Sequence, residues 1–233
     1  MVKAVFFDWF NTLALYYPPR EELHRQAMQE FGIEVSSEAV MRGVFAGDKY
    51  FWEENILSPI GKRSPEEQTD FYFRYQEIVL NEAGVKVDRE KLFKIMDRAH
   101  QLFKGVTFIL FDDALAVLKT LKERKLILGL LTNATKKIVS VYRKLGLEPY
   151  LDFVVTSDEV GSDKPDPHIF LAALEQAKVN ASEAVYVGDQ YAVDVVGARG
   201  VGISPILLDR YDFYPEVTDC PRIHTLPELV EYI

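Results

Sequence analysis

The chain has 233 residues, 48% of them hydrophobic, enough to bury a sizeable core as one domain with an insertion or as two small domains. Its 36 acidic residues against 27 basic ones give a formal charge of −9, which argues against a nucleic-acid partner, because phosphate backbones demand clustered positive charge. No run approaches the roughly 20 apolar residues that span a bilayer, no leader pattern opens the chain, and Cys220 has no second cysteine to bond, so a cytoplasmic protein with no membrane partner is expected.

In chain order, residues 3–8 form a short apolar strand of the kind buried in a parallel sheet. From about 16 to 106 the character changes. Segments 21–31, 38–55, 65–83 and 88–103 each place apolar residues at helical spacing, with Pro18-Pro19, Ser36-Ser37, the 58–61 turn and Gly84 between them. From 109 onward strands and helices alternate: helices at 112–124, 136–145, 167–177 and 192–200, strands at 126–131, 153–156, 184–187 and 204–208. Such alternation predicts right-handed crossovers and a Rossmann-like parallel sheet with helices on both faces. The fold class is therefore α/β, with residues 1–15 and 107–233 as the core domain and 16–106 as an inserted all-helical domain.

Ligands of an open α/β sheet bind outside the carboxyl ends of its strands. Four polar signals fall there. Asp8 ends the first strand, Thr132-Asn133 ends the 126–131 strand, and Lys164 lies in Gly161-Ser162-Asp163-Lys164-Pro165 after the 153–156 strand. Gly188-Asp189 ends the 184–187 strand, with Asp194 five residues beyond Asp189 near a helix start. Each alone reads as an ordinary cap, turn or exposed loop. Together, four separate βα loops deliver one coherent set to one rim.

That set, Phe7-Asp8-Trp9-Phe10-Asn11-Thr12-Leu13, Leu131-Thr132-Asn133, Lys164-Pro165-Asp166-Pro167 and Val187-Gly188-Asp189 through Asp194, resembles the haloacid dehalogenase superfamily in order and spacing. The helical excursion falls where those enzymes carry a helical cap. Carried over position by position, the resemblance implies an Asp8 nucleophile that forms an aspartyl intermediate. It implies that Thr132, with Asn133 beside it, binds the phosphoryl or carboxyl group, that Lys164 steadies Asp8 and the developing charge, and that Asp8, Asp189 and Asp194 hold Mg²⁺. The physical logic agrees. Three crowded carboxylates raise one another's pKa, and a hard cation with oxygen ligands relieves the repulsion. Mg²⁺ also neutralises an incoming phosphate, and a carboxylate nucleophile splits one hard displacement into two easier ones.

Phe10 complicates the reaction. Typical phosphatases of the superfamily it resembles carry Asp there, two residues after the nucleophile, which protonates the leaving alkoxide and activates water, help worth roughly 10²–10⁴-fold. Asn11 also replaces the usual Gly, tolerably, since Asn accepts positive φ. An aromatic residue at the Phe10 position resembles the L-2-haloacid dehalogenase branch, whose halide leaves without a proton. The acidic Gly188-Asp189 to Asp194 pattern resembles the metal-dependent phosphatases instead, and it weighs more. The expectation is a Mg²⁺-dependent phosphatase of small phosphorylated metabolites. The alternatives are a haloacid dehalogenase, a phosphonate hydrolase using Lys49, and a weak or inactive binding protein. Arg42 on the second cap helix is the candidate clamp for a substrate anion, against a plainer reading as a solvated helix arginine. Phe45, Tyr50, Phe51 and Trp52 form an aromatic patch of bundle-core type, and Tyr72, Phe73 and Tyr75 are expected to pack within the cap.

Overall fold

The computed structural model describes all of Met1–Ile233. The chain divides into two compact units, Met1–Leu15 with Phe108–Ile233, and Tyr16–Thr107. It passes between them within two short strands, β2 (Ala14–Tyr17) and β3 (Thr107–Leu110), which follow the first strand, β1 (Ala4–Phe7), and make a two-stranded sheet of their own. Neither β2 nor β3 is predicted from the sequence. Each has four residues and little burial, too few for a period-2 pattern to declare itself.

The unit Tyr16–Thr107 holds four helices, α1 (Arg20–Gln29), α2 (Ser37–Leu57), α3 (Pro65–Glu82) and α4 (Arg89–Phe103), within two residues of the predicted bounds. Their starts are written locally. Ser36 Oγ accepts from Ala39 N, Ser64 and Glu67 form a capping box ahead of Pro65, and Asp88 accepts from Lys91 N. The core runs through Ala27, Met28, Val40, Val79, Leu80, Ile95 and their neighbours. Helices α2 and α3 cross closely because Gly43 and Gly47 carry no side chain, and a Cβ at either would run into the Val79 carbonyl or the Tyr75 ring. The aromatic patch packs around buried Phe71, with Tyr50 stacked on it at 5.1 Å and Phe51 edge-on at 5.6 Å. Tyr72 departs from expectation: its ring meets the edge of Phe71, yet the residue is 45% exposed.

A buried polar cluster also lies in this unit. Arg20 pairs with Asp48 through both terminal guanidinium nitrogens, Tyr75 Oη donates to Asp48 at 3.1 Å, and His24 packs between Tyr75 and Phe103. Burial, with the Arg20 charge added, holds the His24 imidazole down to about 3. His24 is therefore neutral when folded, while the unfolded chain takes up a proton near 6.5. Below that pH the folded state binds fewer protons, so this group makes stability fall as pH drops from about 6.5, ceasing below about 3. Urea unfolding of His24→Phe between pH 7 and 4.5 should show a shallower loss than wild type, the difference reaching at most about 1.4 kcal/mol per pH unit. Equal slopes would show that His24 charges freely in the folded protein.

In the other unit the chain continues through α5 (Ala114–Glu123), β4 (Ile127–Thr132), α6 (Ile138–Lys144), β5 (Phe153–Thr156), α7 (Ser157–Val160), α8 (Pro167–Ala177) and β6 (Ala184–Gly188). A single π-helical turn, Tyr191–Val195, leads into α9 (Val196–Gly200), then β7 (Ser204–Leu208) and β8 (Arg222–Ile223). Six strands form one parallel sheet in the order β5-β4-β1-β6-β7-β8. This is the Rossmann-like α/β arrangement expected. The short β8 and the 3₁₀ turns at Leu226–Tyr232 that follow it are additions the sequence pattern does not announce.

Alternate residues split the sheet cleanly. Val5, Phe7, Leu128, Leu130, Val185 and Val187 pack with α5 and α6 on one face. Ala4, Phe6, Leu131, Ala184 and Tyr186 pack with α8 and α9 on the other. Both faces are covered, which is why these strands read as unbroken apolar runs rather than alternating ones. From β1 the chain builds outward to β4 and β5, then crosses to β6, β7 and β8 on the opposite side. The strand order therefore reverses at β1, and ligands of such sheets bind outside the carboxyl ends of the strands at this kind of switch point. No helix is long and apolar enough to cross a membrane.

Candidate functional site

Asp8 follows β1 at that switch point, its N–H donating to the Val187 carbonyl at 2.9 Å so that the ladder runs one residue past the strand. Its neighbours Phe7 and Trp9 are both committed to the α5/α6 core face, which leaves Asp8 with the opposite parity. The following turn is closed by Leu13 N and Ala14 N, both donating to the Trp9 carbonyl. Phe10 sits in it half-buried, its ring 6.5 Å from that of Phe108.

β6 and the π-turn supply two further carboxylates. Asp194 is 1% exposed and its Oδ2 accepts from Gln190 N at 2.9 Å. The side chain folds back over Gly188, where any Cβ would fall on the Asp194 carboxyl group, so glycine is required. A regular helix start is expected at this point from the sequence. A wide π-turn that carries Asp194 replaces it, a feature common at functional sites. Carboxylate oxygens of Asp8, Asp189 and Asp194 all lie within 4.8 Å of one another.

Lys164 comes from the loop between α7 and α8. The side-chain amide of Asn133, after β4, holds that loop by its main chain: Asn133 Nδ2 donates to the Lys164 carbonyl at 3.1 Å, and Lys164 N donates to Asn133 Oδ1 at 2.7 Å. Lys164 is 3% exposed, and its ammonium has three acceptors for its three protons. Nζ donates to Asp8 Oδ1 at 2.5 Å, Asp194 Oδ1 at 2.7 Å and Tyr186 Oη at 2.8 Å. Tyr186 Oη in turn donates to Asp194 Oδ1 at 2.8 Å.

The electrostatics follow from crowding in a desolvated place. Burial pushes the Asp8 carboxyl up to about 6, against the pull of Lys164 and with a further push from Asp194. Burial, then the charges of Asp8 and Asp194, lifts Asp189 well above the carboxylate range. Burial opposes charge on Lys164, but Asp194 and Asp8 outweigh it, so the ammonium titrates above its ordinary value. Burial also raises the Tyr186 phenol well above its usual value, which keeps it a proton donor to Asp194. One ammonium, bonded to two of three clustered carboxylates, thus leaves the negative charge unbalanced within the protein. The donor set fits a hard divalent cation: all oxygen, clustered, and under a repulsion that a cation relieves.

Of the other residues singled out in the sequence, Thr132 is 4% exposed and its Oγ1 accepts from Ala134 N at 3.2 Å. The Arg42 side chain is exposed on α2 and reaches Glu38 one turn back at 3.3 Å. Lys49 is exposed. The sequence reading did not include Tyr186, whose place in Val185-Tyr186-Val187 reads as β-propensity alone. It also passed over the side chains of Asn11 and Gln190, which both donate to Asp189 Oδ2.

The model of the haloacid dehalogenase-like hydrolases matches residues 2–202, spanning every element that builds this cluster. The chain belongs to the haloacid dehalogenase-like hydrolase family. Within that family it is 35% identical over 238 residues to haloacid dehalogenase-like hydrolase domain-containing protein 3 of Homo sapiens, covering 100% of this chain and 92% of that one. It is 30% identical over 214 residues to a ribulose-1,5-bisphosphate 5-phosphatase of Halopiger xanaduensis, covering 90% and 85%. Among solved haloacid dehalogenase-like structures, the 2-haloacid dehalogenase of Pseudomonas syringae superposes with a TM-score of 0.57 at 27% identity, covering 99% of this chain and 97% of that one.

Proposed function

We propose that this hydrolase is a Mg²⁺-dependent phosphatase of small phosphorylated metabolites, with Asp8 as nucleophile and Tyr16–Thr107 as its cap. The observation that carries this reading is the convergence of Asp8, Asp189 and Asp194 within 4.8 Å, with one ammonium paired to Asp8 and Asp194, a cluster whose negative charge is left over for a cation. Attack on an alkyl halide has no use for such surplus charge, whereas a phosphate ester brings anionic oxygens that need it offset. The phosphatase relative favours a phosphate ester of a small carbohydrate-like molecule as substrate.

In this reading Asp8, Asp189 and Asp194 hold Mg²⁺, which when bound neutralises the phosphoryl oxygens. Lys164 keeps Asp8 ionised and orients it through the bond to Oδ1. Tyr186 pins both Lys164 and Asp194. Thr132, with Asn133 beside it, lies at the carboxyl end of β4 to receive the phosphoryl oxygens, and Asn133 also secures the loop that carries Lys164. Asp8 displaces the alkoxide or phenoxide to form an aspartyl phosphate, which water then hydrolyses to free phosphate. Arg42 is a secondary candidate for an anion on the substrate's far end.

Phe10 favours the second reading, a 2-haloacid dehalogenase, because with Phe108 beside it that position presents aromatic surface rather than a proton donor. One assay separates the two. With p-nitrophenyl phosphate and 2-chloropropionate as substrates, phosphate release that requires Mg²⁺ and stops in EDTA is expected, with no chloride release. Chloride release that persists in EDTA, with no phosphate turnover under any divalent metal, would establish the dehalogenase instead. Absence of both, with Mg²⁺ still raising Tm, would make the protein a binding module.

A further inference from the structure

Asn11 occupies the left-handed region at φ 59 in the turn after Asp8. Glycine meets that conformation with least strain, so backbone geometry alone does not account for a carboxamide there. Asn11 Nδ2 donates to Asp189 Oδ2 at 3.3 Å, joining the loop after β1 to the loop after β6. Gln190 Nε2 donates to the same oxygen at 2.9 Å. Gln190 is itself braced, its Oε1 accepting from Tyr214 Oη at 3.4 Å. Two amides from separate loops therefore converge on Oδ2 and leave Oδ1 of Asp189 for a cation.

We propose that Asn11 is a positioning residue for Asp189, aiming that carboxylate into the cation site together with Gln190, so that metal affinity depends on its side chain. This rests on the metal-dependent reading above. The choice of group is chemically apt. A carboxamide donates a hydrogen bond without adding positive charge, so it fixes a metal-binding carboxylate without competing with the cation, as a second lysine would. Lys164 serves Asp8 and Asp194, and neutral donors serve Asp189.

The test is Asn11→Gly, which suits φ 59 and removes the carboxamide with its donor. Mg²⁺ is titrated against wild type and variant, reading the rise in Tm alongside hydrolysis of p-nitrophenyl phosphate. The Mg²⁺ concentration at half-effect should increase about tenfold in both readouts, about 1.4 kcal/mol of binding. KM for the ester at saturating Mg²⁺ should stay within about twofold, and Tm without metal should not fall. Gln190→Met, which keeps the chain length and loses the donor, should move the Mg²⁺ midpoint in the same direction. A wild-type Mg²⁺ midpoint in Asn11→Gly overturns this inference and leaves the phosphatase reading standing. No Mg²⁺ effect on wild-type Tm or activity overturns the metal reading, and this inference with it.

Discussion

Asp8→Asn should abolish Mg²⁺-dependent hydrolysis of p-nitrophenyl phosphate, by about 10⁴-fold or more, the scale on which loss of a covalent nucleophile falls. The same substitution should make the protein more stable when measured in EDTA at neutral pH. Burial and Asp194 disfavour the ionised Asp8 despite Lys164, raising its pKa from 3.8 to about 6. Between those values the folded state holds the extra proton, so stability falls as pH rises through that window and levels off above about 6. Asparagine imitates the protonated carboxyl and removes that cost. An upper bound near 3 kcal/mol follows from the shift, and a rise of a few degrees in Tm is the practical expectation. Loss of turnover with gain of Tm marks a residue held ready for chemistry against its own stability. If activity and Tm fell together, Asp8 would be a structural residue, and the covalent mechanism would be wrong.

The second large effect concerns the proton. Phe10→Asp should raise kcat on alkyl phosphates by about 10²-fold, at the lower end of what general acid–base help supplies, while p-nitrophenyl phosphate gains little because its leaving group needs no proton. The half-buried ring lost against Phe108 makes the variant less stable by roughly 1–2 kcal/mol, so its fold is checked by circular dichroism before rates are compared. A folded variant with no gain on alkyl esters would mean that another group already protonates the leaving oxygen. Gain on both ester classes alike would mean that Phe10 restricts access rather than chemistry.

Much of the architecture was legible from local pattern. The boundaries at 65, 103, 153–156, 167–177 and 204–208 follow from Pro and Ser caps and from apolar runs flanked by turns, signals that need no tertiary partner. The elements missed are those whose stability is borrowed. β2 and β3 exist because they pair with each other across the helical segment between them, and β8 exists because β7 offers it an edge. The π-turn at Tyr191–Val195 likewise comes with a tertiary contact, the Asp194 carboxyl lying over a glycine that leaves room for it.

The candidate site divides in the same way. Asp8, Lys164, Asp189 and Asp194 were readable in sequence because each is a charged residue in a βα loop of a parallel sheet, and the strand order at a switch point brings such loops together whatever lies between them in the chain. The supporting donors were not. Tyr186 is an aromatic residue in an apolar strand, Asn11 is a turn asparagine, and Gln190 follows an aspartate, so local pattern gives each a sufficient ordinary reason. Only the folded arrangement sets the Tyr186 hydroxyl against Lys164 and Asp194, and the two amides against one oxygen of Asp189. Charge in a loop is a local property, written in the chain; a hydrogen bond across 178 residues depends on distance, and distance belongs to the fold.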